Sequence, residues 1–262
     1  MSGEIIAEIS SDAYEGRGPG SRGDEKTRKY LIQRMQDLDL EPGGVDGSWE
    51  QPFELVGVNA QQPDTWTFEG HDQEMTLNQW EQFIVGSGKQ QERIDVENAE
   101  LVFVGYGMQA PEYDWDDYKG ADLEGKVLLM LNDDPDWDPD LFAGDRKLYY
   151  GRWMYKYDIA ARLGAAGAII VHTTESAGYP WSVVRASNIG EQFELKAGDE
   201  PRTMFNGWLS WEGSKALAEY RENPAYAILP TGGWGSHFNN TDRPHAYYIK
   251  QALQAEGVPD SA

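Results

Sequence analysis

Apolar residues recur along this 262-residue chain in two rhythms, and the switch between them outlines the fold. In TRKYLIQRMQDLDLEPGG (27–44), Leu31, Met35 and Leu38 fall at helical spacing, and Pro42-Gly43-Gly44 ends the pattern. Residues three and four apart share one face of a helix, whereas alternate residues share one face of a strand. From Phe53 to about Lys126 shorter runs take over: FELVGV, TWTFEG, AELVFVGYG and GKVLLMLN. They are rich in β-branched and aromatic residues and bounded by Gly, Asn, Asp and Pro, which predicts strands. YKYDIAARLGAAGAIIVHTT reads as a helix, a glycine turn and a buried strand, the second half of a βαβ unit. SWEGSKALAEYREN predicts another helix, opened by Ser210 with Gly213 in its first turn. The last stretch, from GGWGSHFNN onward, predicts a loop and one more helix. No repeat and no low-complexity segment interrupts this mixed α/β pattern.

Charge narrows the partners. With 45 Asp and Glu against 22 Lys and Arg, the net charge is −23. Such a polyanion repels nucleic acid and anionic membrane, so neither is an expected partner. A solvated acidic surface accounts for the charge, and an affinity for cations is the alternative. The chain has no Cys, which excludes disulfides and Cys-ligated metals. No apolar run is long enough to span a bilayer, and MSGEIIAEIS is too short and acidic for a signal peptide. A chain of this length buries roughly three quarters of its unfolded surface, enough for a substantial core.

Four patterns suggest chemistry. Gly18, Gly20 and Gly23 spell G-x-G-x-x-G, but the polar IIAEISSDAYE precedes them where a dinucleotide site needs a buried strand. The glycines are expected to free the backbone for a turn into a helix that Asp24 and Glu25 favour electrostatically. In DPDWDPDLFAGD, Asp134, Asp136, Asp138, Asp140 and Asp145 take positions 1, 3, 5, 7 and 12 of a calcium loop. Pro139 stands where such a loop wants Gly, so a solvated acidic loop is the expected reading. His71, His172, His237 and His245 are the only histidines; His237, Asp242 and His245 form a local cluster that a polar loop explains as well as a metal does. His172 ends the strand AGAIIVH with Ser176 and Ser182 following, an arrangement open to a base and nucleophile but without a triad signature.

Several segments together resemble one family. SDAYEGRGPGSRGDEKTRKYLIQRM is similar to the N-terminal segment of the M28 zinc aminopeptidases. VFVGYGMQAPEYDWDDYKGADLEGKVLLMLNDDPDWDP and YYGRWMYKYDIAARLGAAGAIIVHTTESAGYPWSVV resemble the protease-associated (PA) domain that many of them carry, and FNGWLSWEGSKAL resembles its exit. The resemblance runs from about Ser11 to Leu217. It implies an amphipathic N-terminal helix before a PA-type domain of sandwich- or barrel-like strands with flanking helices. The divisions expected are 1–50, 51–215 and a C-terminal helical tail, 216–262.

The family's H-x-D and Glu-Glu motifs do not occur in the sequence, so no catalytic or zinc-ligating residue is carried over. The implied role is a substrate-access or peptide-binding module without its own metal centre. Arg152, Trp153, Tyr179 and Trp181 are the expected contact residues, since Trp and Arg are favoured in interfaces and Arg grips carboxylates. Packing in the core is the competing reading for Tyr149, Tyr150 and Trp153. A hydrolase is the alternative function: a split aminopeptidase completed by a partner chain, or a metal-independent esterase using His172 or His237. The face of Leu31, Met35 and Leu38 is expected to meet AYYIKQALQAEGV, a second copy or another protein. The family further implies an extracellular or periplasmic location.

Overall fold

The computed structural model describes residues 2–70, 73–135, 141–144 and 146–220. His71, Asp136, Asp138, Asp140, Asp145, His237, Asp242, His245 and AYYIKQALQAEGV lie outside the described residues. The chain begins with helices α1 (Ser2–Ile9) and α2 (Arg22–Gln36). Strands β1 (Leu55–Val58), β2 (Thr65–Gly70), β3 (Gln73–Asn78), β4 (Phe83–Ser87) and β5 (Leu101–Phe103) follow. Next come β6 (Gln109–Ala110), β7 (Trp115–Asp116), β8 (Val127–Leu131), α3 (Trp153–Arg162) and β9 (Gly167–Val171). The described chain closes with α4 (Thr174–Ala177), α5 (Trp181–Ser187), β10 (Gln192–Leu195), β11 (Phe205–Leu209) and α6 (Trp211–Tyr220).

Two compact units result: Met1–Gly57 with Phe193–Lys196, and Val58–Gln192 with the chain from Ala197 on. In the first, the opening glycines shape a turn. Gly20 has φ +71°, in the left-handed region that suits glycine. Gly23 lies so close to the Tyr14 carbonyl that a Cβ would overlap it. Ser21 caps α2 by accepting the Asp24 N–H at 3.2 Å, and the Asp24 carboxylate accepts the Gly20 N–H at 3.2 Å. The helix ends sooner than its apolar spacing predicts. Asp37 caps it, its N–H bonded to the Gln33 carbonyl at 2.9 Å, and Asp39 turns to φ +56°. Leu38 therefore stands beyond the helix and does not extend the stripe of Leu31 and Met35. Separately, β1 and β10 form a two-stranded ribbon.

The second unit is built on a five-stranded sheet in the order β4-β11-β9-β8-β5. Strands β5, β8, β9 and β11 are parallel, and β4 runs antiparallel on the β11 edge. Parallel strands covered on both faces read as unbroken apolar runs. VLLML and GAIIV do so, and every residue of β8 and β9 is buried. Gly167 fits because the Phe205 ring fills the space a Cβ would need. Ser210 opens α6, accepting the Gly213 N–H at 3.2 Å, and Gly213 passes tightly over the Gln82 carbonyl. Antiparallel ribbons β2-β3 and β6-β7 complete the described strands of a mixed α/β fold with flanking helices.

Candidate functional site

In a parallel sheet, ligands gather beyond the carboxyl ends of the strands. Here those ends deliver Val104–Tyr106 after β5, Asn132–Asp134 after β8, His172–Thr173 after β9 and Ser210 after β11. Two different environments form there.

One is a buried polar clamp. Lys156, fully buried on α3, donates to the carbonyls of Tyr106 at 2.6 Å and Asp133 at 2.9 Å. Burial pulls its amine down to about 7, against the attraction of Asp117 and Asp134. Asp117, also fully buried, accepts the Met108 N–H at 2.9 Å, and burial pushes its carboxyl up to about 7. Asp134 accepts the Leu148 N–H at 2.9 Å and is pushed up to about 6, chiefly by burial. Lys147 pairs with Asp133 at 3.1 Å and also donates to the Ser176 carbonyl. These bonds fasten the segment before α3 to the end of β8. Perturbed titration in a cleft suggests function, but here Lys156, Lys147 and Asp134 are spent on backbone or side-chain partners, and Asp117 holds the Met108 N–H through one oxygen while its Oδ1 has no hydrogen-bond partner among the described residues. The clamp is structural. Asp134, first in the acidic loop, is engaged in it.

The other environment is aromatic. Residues alternate across a strand, so Ile170 and His172 share one face of β9 with Ile84, Trp208 and Val184. Tyr179 and Trp181 pack against the His172 ring at 5.6 and 5.5 Å between centroids, and Trp208 at 6.1 Å. The Trp181 indole donates to the Trp80 carbonyl at 2.8 Å. Burial lowers the pKa of His172 below the ordinary histidine range, so its ring is neutral at neutral pH.

The predicted contact residues divide accordingly. Tyr179 and Trp181 meet on His172 and are half-buried. Trp153 joins them through Tyr157, at 6.0 Å, and Tyr157 anchors its hydroxyl on the Gly207 carbonyl at 3.0 Å. Arg152 precedes α3, exposed, with no hydrogen bond or ion pair for its guanidinium among the described residues. Trp153 is 46% exposed and Tyr149 57%, so neither is a core residue, whereas Tyr150 packs against the core.

Among the described residues no hydrogen bond joins His172 to Ser176 or Ser182. The Ser176 hydroxyl instead lies 3.4 Å from both the Thr173 carbonyl and the Asn132 amide. A zinc site needs several His and carboxylates around one point. No group of three such residues is so placed among the described residues, and His172 has aromatic neighbours where a metal would need ligands. Sequence reasoning missed Lys156, Asp117 and Trp208. A lysine within YKYDIAA, on the face that Ile159 and Ala160 bury, was the available signal for the first. Comparison with family models, with curated proteins and with solved structures finds no match to this chain.

Proposed function

We propose that the second unit is a PA-type module of an M28-like aminopeptidase that binds peptide and contains no metal centre of its own. One observation carries this reading: Tyr179, Trp181 and Trp153 belong to one aromatic cluster at the carboxyl end of a parallel strand, and Arg152, unpaired among the described residues, adjoins Trp153 on the chain. Exposed aromatic rings supply contact area at small entropic cost, and a free guanidinium grips a carboxylate bidentately. On a chain of net charge −23, an unpaired arginine marks the place where an anionic group is tolerated. The same reading places the protein outside the cytoplasm, where PA-bearing peptidases act.

Titration calorimetry with a tyrosine-centred pentapeptide carrying a free C-terminal carboxylate tests this. Binding that falls roughly tenfold in Arg152→Glu, the scale of one lost charge-assisted bond, and falls again in Trp153→Ala is the expected result. Equal binding by wild type and both variants, or none by any, would remove the reading. Elemental analysis after zinc loading and desalting is the companion measurement. Two retained ions per chain would favour the metallopeptidase alternative.

A further inference from the structure

We propose that His172 is the polar anchor of a concealed subsite, which accepts a phenol or indole side chain of a peptide in the place Tyr179 now fills. This rests on the peptide-binding reading and adds to it the class of side chain recognised.

Three observations lead to it. First, His172 is 2% exposed, and its Nε2 is buried without a hydrogen-bond partner among the described residues. Leaving a buried polar atom unmatched is costly, and natural folds rarely do so without a reason. Second, a neutral imidazole has one N–H and one acceptor nitrogen. We assign the proton to Nδ1. Nε2 is thus an acceptor, and what it lacks is an O–H or N–H donor.

Third, the three rings around His172 are not equally fixed. Trp208 is buried within β11, and Trp181 is pinned to the Trp80 carbonyl at 2.8 Å. Tyr179 is half-buried, and its hydroxyl makes no hydrogen bond among the described residues. It stands between Gly178, at φ +77° with open space around it, and Pro180, which precedes α5. Tyr179 is therefore the wall that can leave. It offers His172 a flat ring but no donor. An incoming phenol or indole that replaces the ring and donates to Nε2 keeps the packing and satisfies the buried nitrogen.

The test compares two shapes that differ by one donor: p-cresol and toluene, titrated into the whole protein and followed by the ¹⁵N shift of the His172 ring. p-Cresol should bind roughly tenfold more tightly than toluene, the scale of one net hydrogen bond, and should move the Nε2 resonance. In Tyr179→Ala both should bind more tightly with the preference retained, because no side chain has to be displaced. In His172→Phe the preference should vanish. Equal affinity for the two probes, or no binding of either to wild type and Tyr179→Ala, would overturn the inference. So would a wild-type Nε2 resonance that p-cresol leaves unmoved, a readout that needs no variant to fold. The pentapeptide still binding through Arg152 and Trp153 in that case would leave the peptide-binding reading intact. Cresol discrimination without peptide binding would sink that reading instead.

Discussion

The central sheet and the β1-β10 ribbon are both made of short strands, yet they are held by different physics. Every residue of β8 and β9 is buried, whereas no residue of β1 or β10 is. The sheet carries its own stability, since each strand removes apolar surface from water on two faces. A two-stranded ribbon with no buried face is marginal by itself. Order in the first unit draws on local fits: the passage of Gly23 under the Tyr14 carbonyl, the edge-on contact of Tyr14 with Tyr30 at 6.2 Å, and exposed ion pairs. Exposed pairs contribute little each. One chain thus combines a unit secured by burial with one secured by close backbone fit.

Substitutions should separate the two. Leu128→Ala, in the centre of β8, should lower stability by about 2–5 kcal/mol in chemical denaturation. A loss below about 1 kcal/mol would break the contrast, because β8 would then be no better packed than a surface strand.

Asp117→Asn should act next, and with pH. The native carboxyl titrates near 7 rather than at its ordinary 3.8, so the folded state holds a proton that the unfolded state releases. Stability of the wild type should therefore fall as pH rises from about 4 to about 7, while the Asn variant lacks this loss. Melting temperatures recorded across that range should show the variant gaining on wild type as pH rises. A constant difference would mean that Asp117 is ionised throughout.

Gly23→Ala tests the other unit. Its Cβ would overlap the Tyr14 carbonyl, so the cost should be about 1–3 kcal/mol. Hydrogen exchange should place that loss in α2 with β8 and β9 still protected. Leu195→Ala should change stability by less than about 0.5 kcal/mol, because the side chain is 62% exposed. A larger loss would mean that something covers the ribbon in solution.

Legibility in the sequence follows the same division. β8, α3 and β9 could be read because their apolar runs are long and their turn is marked by glycine. β11 could not: FNGWL carries Asn and Gly inside a strand, and Gly207 is tolerated because the Trp66 ring lies over it, a distant residue no local pattern announces. The early end of α2 escaped too, because Asp37 and Asp39 set it while Leu38 kept the helical rhythm. At the candidate site, composition pointed to Arg152, Trp153, Tyr179 and Trp181, all from neighbouring stretches. What surrounds His172 comes from further away: Trp208 on β11 and, through Trp181, Trp80. The clamp of Lys156, Asp117 and Asp134 was illegible for the same reason, as three separate elements bring it together.

Indole N–H resonances offer the most direct test of the central claim, that the aromatic cluster at the end of β9 is a peptide-binding surface. The tyrosine-centred pentapeptide, titrated into the ¹⁵N-labelled protein, should shift the indoles of Trp153 and Trp181. Trp115, buried in the main core, should stay still. No movement of Trp153 and Trp181 at saturating peptide, or equal movement of all three, would contradict it.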